Sequence, residues 1–148
     1  MVMCDYFSAS DDDTALRVLD EPGGPDPAGW DVVPLKGIDP VVVMARLEAV
    51  LTGCTHEEAA ERPRSGQLLS SPEAESAFVV SVSDTLTEAL ASATPAVLAE
   101  AAGPWAETDE LRQYGTTAEA ATEMLGLLSG LARRARSTGC RLYCWWAL

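Results

Sequence analysis

Thiols, imidazoles and paired carboxylates carry most protein chemistry, and in this 148-residue chain they are few or dispersed. The four cysteines, Cys4, Cys54, Cys140 and Cys144, contain no Cys-x-x-Cys spacing. On an extended strand Cys140 and Cys144 share a face but stand about 13 Å apart, beyond disulfide reach without a bend. Structural zinc draws its ligands in close pairs from turns, so a thiolate site with Cys4 is outweighed by the ordinary role of free cysteine as a small buried hydrophobe. No metal and no other cofactor is expected. His56, the only histidine, and Cys54 flank Thr55 at a helix start. That is a poor geometry for a Cys–His dyad, and Glu57 and Glu58 beside it mark a solvated, capped turn.

Acid–base catalysis needs one carboxyl in an apolar cleft at a set distance from another. The clusters Asp11-Asp12-Asp13, Glu57-Glu58 and Asp109-Glu110 all fall at expected helix starts, where capping and the helix dipole account for them. There is no Gly-x-Ser-x-Gly, and Gly23-Gly24 is flanked by prolines rather than leading a phosphate-binding helix. No catalytic residue is expected. Arginine is the more informative type. Arg133, Arg134, Arg136 and Arg141 occupy residues 133–141 with no acid between them. In a common cleft they would hold an anionic ligand; otherwise they complement the negative end of a helix dipole in solvent. Arg62 and Arg64 form a second basic loop that would join or oppose that group.

Charge limits the partners. The chain has 23 acidic and 10 basic residues, a net charge of −13, which argues against nucleic acid and against anionic membranes. Asp5, Asp11, Asp12, Asp13, Asp20, Glu21, Asp26 and Asp31 precede residue 35 with Arg17 alone as counter-charge. The expected function is a non-enzymatic acidic interaction domain whose partner is a basic protein, in the manner of small immunity or antitoxin proteins, with Asp11, Asp12 and Asp13 as partner-binding residues. The alternative is a small-molecule or anion-binding protein, or an enzyme, using the arginine group in a cleft. Free cysteines, no basic or long apolar N-terminal stretch and no run of ~20 apolar residues give a cytoplasmic expectation. Nine arginines against one lysine point to a GC-rich bacterial gene.

Periodicity supplies the elements that must position these residues. Residues 2–7 form an expected strand with Cys4 and Tyr6 on one face and Met3, Asp5 and Phe7 on the other. A short helix capped by Ser10 or Asp11 follows, then a Pro/Gly loop over 21–29 and a strand over 30–35, with Pro34 at an edge or end. Asp39-Pro40 opens a helix with the stripe Met44, Leu47, Val50 and Leu51, and Gly53 stops it. Thr55-x-x-Glu58 is a capping box. A brief strand at 66–70 and a better one at 77–82 precede a helix capped by Ser83 or Asp84. Thr94-Pro95 opens a segment that Gly103-Pro104 closes. Thr116-x-x-Glu119 leads a long helix lined by Ala121, Met124, Leu125, Leu128, Leu131, Ala132 and Ala135, with Gly139 as its stop. In the final strand Tyr143 and Trp145 face one way, Leu142, Cys144 and Trp146 the other; bulk on both faces belongs inside a sheet. Trp30 and Trp105 are expected in the core. Together these make one α+β domain over 1–148, a small central sheet with neighbouring N- and C-terminal strands, packed by helices.

The helix ending Val50-Leu51-Thr52-Gly53 and the ending Cys140-Arg-Leu-Tyr-Cys-Trp-Trp-Ala-Leu148 carry a further likeness. With the short first strand, the strand-then-helix middle and the long late helix, the chain resembles the YfbM-like family of small bacterial proteins. The resemblance implies a fold and no activity, because that family has none to transfer.

Overall fold

A strand that is bulky on both faces is buried only between two layers, and the last strand of this chain is placed in that way. The structure, a computed structural model, describes residues 2–148. Its sheet contains β1 (Met3–Ala9), β2 (Val32–Pro34), β3 (Ala77–Ser81) and β4 (Arg141–Ala147), in the order β2-β1-β4-β3 with every neighbouring pair antiparallel. The expected adjacency of the N- and C-terminal strands is found: Tyr6 stands opposite Cys144 and Phe7 opposite Tyr143. Leu142, Cys144 and Trp146 join Cys4 and Tyr6 in the larger core under the helices. Tyr143 and Trp145 join Phe7 and Ala9 in a smaller core on the opposite face. The α+β expectation holds.

The larger core is roofed by α2 (Val42–Thr52), α4 (Asp84–Ser92), α5 (Pro95–Ala106), α6 (Asp109–Gln113) and α7 (Ala118–Thr138), with α3 (His56–Glu61) beside α2. The smaller core is covered more thinly, by α1 (Asp12–Leu16), a 3-10 helix (Arg17–Asp20) and the loop over residues 21–30. Helix α7 buries Ala121, Leu125, Leu128, Leu131, Ala132 and Ala135, the expected stripe, and ends at Gly139 in the left-handed conformation. The Thr55–Glu58 capping box forms as expected.

Four local expectations need correction. Helix α2 starts at Val42, not Pro40, yet Asp39 still caps it: Oδ1 accepts from the backbone N–H of Val41 (2.9 Å) and Val42 (2.6 Å). The cap of α7 is Thr117 rather than Thr116, its hydroxyl accepting from the N–H of Ala120 at 3.1 Å. Gly103-Pro104 does not end α5, which continues to Ala106. The reason is Trp105, wholly buried with Nε1 donating to the Val43 carbonyl at 3.2 Å. Burying a tryptophan is worth ~3–5 kcal/mol, enough to offset the ~3 kcal/mol of an interior proline. The strand expected at 66–70 is a single bridge from Leu68 to Val80, where Leu69 and Ser81 backbone bonds cover the outer edge of β3. An edge so covered cannot recruit another chain.

Trp30 also leaves the strand expected for it. It meets Phe7 edge-on, ring centroids 5.3 Å apart, and its Nε1 donates to Glu21 Oε2 at 2.8 Å. The Pro/Gly loop between these residues is a strap over the smaller core, with Gly24 and Pro25 buried. Gly24 has φ +87°, and a Cβ there would stand 2.6 Å from the Trp145 ring. Gly23 has a similar φ of +81° but open space around it. Gly24→Ala is therefore expected to lose ~2 kcal/mol or more, from backbone strain and overpacking together, and Gly23→Ala only about 1 kcal/mol. Urea unfolding followed by tryptophan fluorescence checks this, and equal losses at the two sites would mean the strap is not seated on Trp145.

Candidate functional site

The arginine group comes from the last turns of α7 and the first residue of β4, and its members turn to different partners. Arg133 donates from Nη2 to the Ala93 carbonyl (2.9 Å) and from Nε to the Ala91 carbonyl (3.3 Å), capping the open end of α4. Arg134 takes Asp31 bidentately, at 2.7 and 3.0 Å. Arg136 reaches Glu88 at 2.8 Å and Ser92 at 3.1 Å. Arg141 lies 3.5 Å from Asp84. The structure does not bring these four guanidinium groups into one cleft, so the convergent anion site is not assembled.

The run Asp11-Asp12-Asp13 is also divided. Asp11 caps α1, Oδ1 accepting from the Thr14 N–H at 2.7 Å, a bond that holds its carboxyl below the usual value. Asp13 is exposed. Asp12 turns inward and accepts from Arg64 Nη1 (3.2 Å), Arg64 Nη2 (3.0 Å) and the Tyr143 hydroxyl (2.7 Å). Hydrogen bonds from Arg64 first, and then from Tyr143, hold its carboxyl below the ordinary range. Burial, reinforced by Asp12, pushes the Tyr143 phenol up. Arg64 stands over the Tyr143 ring, 5.7 Å from its centroid. Its backbone is left-handed at φ +67°, and the Ser81 hydroxyl donates to its carbonyl at 2.6 Å. Four segments distant in sequence, those of Asp12, Arg64, Ser81 and Tyr143, are pinned here, with the Asp12 side chain still 41% exposed.

A second constellation centres on Glu48, buried to 1% exposure in α2. Its Oε1 accepts from the Ser83 hydroxyl (2.5 Å); its Oε2 accepts from the Thr85 hydroxyl (2.5 Å) and Arg62 Nη1 (2.6 Å). Arg62 also reaches the Thr52 hydroxyl at 3.2 Å. A buried carboxylate is tolerated only when paired and hydrogen-bonded, and these donors meet that need while fastening α2 to the start of α4 and the end of α3. The only signal in the sequence is its register, since residues 44, 47, 48 and 51 share one stripe of α2. Glu48→Ala is expected to lose ~3 kcal/mol or more by leaving Arg62 and two hydroxyls unpaired. Exposed Glu57→Ala is the control, within about 0.5 kcal/mol of the parent. Both are read by urea unfolding, and a Glu48→Ala loss below about 1 kcal/mol would contradict the assignment.

Cys4 and Cys144 lie buried on the helix side of the sheet, and burial, followed by the neighbouring Cys4 thiol, pushes the Cys144 thiol up. Cys54 meets the Thr52 hydroxyl at 3.3 Å. Among the described residues no three His, Cys, Asp or Glu side chains are grouped so as to hold a metal ion.

A cleft of about 670 Å³ lies between the turn after β2 and the approach to α7. Its walls include Lys36, Tyr114, Thr117, Glu123, Met124 and Leu127. Tyr114 and Leu127 are 62% and 54% exposed. The Lys36 turn is held firmly: the Leu35 N–H donates to the Cys4 carbonyl (2.9 Å), and the Tyr6 hydroxyl donates to the Ile38 carbonyl (2.5 Å). Lys36 itself is left-handed at φ +41°. Sequence reasoning missed this cleft because it joins two loops about eighty residues apart, without periodicity of their own.

Asp5 faces the smaller core beside Trp145, 7% exposed, and its Oδ1 has no hydrogen-bond partner among the described residues. Burial raises its carboxyl above the ordinary value. A folded-state pKa above the unfolded one favours the fold below about pH 4 and penalises it as pH rises through the folded value. Asp5→Val removes that group. The variant is expected to gain about 1 kcal/mol over the parent at neutral pH, with the gap narrowing toward pH 4. Thermal unfolding across pH measures it, and a gap that is constant or widens toward acid would contradict the burial effect. No protein-family model matches this chain, and no match was found among curated proteins or solved structures.

Proposed function

We propose that this protein is a non-enzymatic, acidic interaction domain that binds a basic protein, in the manner of small immunity or antitoxin proteins. The observation that carries the reading is the fate of the positive charges. Six of the ten basic side chains are in ion pairs, and Arg133 is occupied by backbone carbonyls. Seventeen of the 23 carboxylates have no ion-pair partner among the described residues. The paired charges cancel locally, so the outward field is set mainly by the unpaired carboxylates, and such a field steers a basic partner.

The partner face is the thin cover of the smaller core. Asp11 at the cap of α1, Asp13 on α1, Asp20 in the 3-10 helix and Asp26 in the strap are all exposed, with Arg17 as the one basic residue among these elements. Asp12 belongs to the interior strut and Asp11 to a helix cap, so the recognition role of the acidic run passes mainly to Asp13, with Asp20 and Asp26 added. The absence of catalysis is proposed on the enclosure of the one buried carboxylate network: Glu48 has its donors supplied by Ser83, Thr85 and Arg62. Membership of the YfbM-like family is likewise proposed, on the order of elements. No helix is long and apolar enough to cross a membrane among the described residues; a cytoplasmic location is proposed from the four free thiols.

The test is affinity capture from a bacterial lysate with the parent and with the triple variant Asp13→Asn, Asp20→Asn, Asp26→Asn, the captured proteins being identified by mass spectrometry. A basic protein is expected to be retained at about 50 mM salt, released by about 300 mM, and not retained by the variant. Capture of a neutral or acidic protein, indifferent to salt and to these substitutions, would contradict the reading.

A further inference from the structure

We propose that the cleft between the Lys36 turn and α7 binds a short apolar peptide in zwitterionic form, its carboxylate on Lys36, its ammonium on Glu123 and its side chains against Tyr114, Met124 and Leu127. This site is separate from the acidic cover and does not depend on it. Four observations converge. The volume, about 670 Å³, falls among those of small-ligand sites and leaves most of its space empty around a single amino acid. A ligand of two or three residues fills it better.

The second observation is the apolar wall. Helix α7 buries its other leucines completely, whereas Leu127 is 54% exposed and Tyr114, just before the helix, is 62% exposed. Both line this one cleft. Apolar side chains laid across them would remove that surface from water, at about 25 cal/mol per Å². Tyr114 also closes over Gly37, where a Cβ would stand 3.7 Å from its ring, so the aromatic wall is formed before any ligand arrives.

Charge supplies the third. Lys36 is the only lysine in the chain and makes no ion pair among the described residues; neither does Glu123. They line one cleft from two elements, Lys36 on the turn and Glu123 on α7, without meeting each other. One free cation and one free anion in an apolar cleft match a ligand with one charge of each sign. They fit a polyanion poorly, because Glu123 and the net charge of −13 oppose it.

Rigidity is the fourth. The Lys36 turn is held to β1 by the Tyr6 hydroxyl and the Cys4 carbonyl, so little ordering is left for binding to impose.

The probe is the dipeptide Leu-Phe, titrated into the whole ¹⁵N-labelled protein, with its N-acetyl and C-terminal amide derivatives as the arms that each delete one charge. Saturable amide shifts are expected at Gly37, Gly115 and Ala120. Each derivative is expected to bind about fivefold more weakly, the upper end for a solvent-exposed ion pair. Lys36→Gln should abolish the penalty on the amide derivative alone, and Glu123→Gln the penalty on the N-acetyl derivative alone. Both positions are exposed, and an unchanged spectrum away from the cleft verifies that each variant is folded. The proposal is overturned by the lack of saturable shifts in the cleft, by equal binding of all three ligands, or by variants that weaken every ligand alike.

Discussion

The molecule depends on the insertion of its last strand between its first and its third. β4 meets β1 on one side and β3 on the other, with Leu142, Tyr143 and Cys144 at 0% exposure. Because side chains alternate along a strand, one insertion seeds both cores: Cys144 and Trp146 enter the larger, Tyr143 and Trp145 the smaller. Buried side chains of this size contribute ~2–3 kcal/mol each, comparable in sum with the whole stability of an ordinary domain. The pairing is also the most non-local in the chain, Met3 opposite Ala147. Its loop-closure entropy must be met before any contact compensates it. Helices α4 and α5, both packed on α7, bring β3 and β4 together through contacts within the intervening segment.

Around that insertion, polar groups act as fasteners. Asp12 joins α1 to β4 through Tyr143 and to the loop before β3 through Arg64; Glu48 joins α2 to α4 and to Arg62. Strong internal bonds of this kind add position more than net stability, because desolvating a charge cancels much of its attraction. They also have a functional consequence. Arg62 and Arg64 are drawn in by these struts, while Arg134, Arg136 and Arg141 are neutralised at the surface by Asp31, Glu88 and Asp84; the carboxylates left without a partner are the basis of the proposed partner surface.

Much of this architecture was legible in the residues, and the boundary follows a physical rule. Elements specified by neighbours in sequence were visible: the two-faced β4, the stripe and glycine stop of α7, the Thr55–Glu58 box. Pro104 misled because a buried tryptophan one residue away outweighs a local breaker. The arginines misled for a related reason. They cluster in sequence, but their partners lie far off, 103 residues for Arg134 and Asp31 and 52 for Arg64 and Asp12. Adjacency in a helix sends side chains to different faces every residue, so Arg133 and Arg134 could not share a target. Glu48 shows the converse, a charged residue in an apolar stripe whose register alone marked it as interior. The Lys36 cleft had no such marker.

Native-state hydrogen exchange of the backbone amides of β4 tests the central claim most directly. If the C-terminal strand is the interior member that organises both cores, the amides of Tyr143, Cys144 and Trp145 are expected to be among the slowest in the protein. They should exchange only with global unfolding, together with their partners in β1. Exchange of these amides ahead of those in α7, with a free energy well below that of global unfolding, would contradict it.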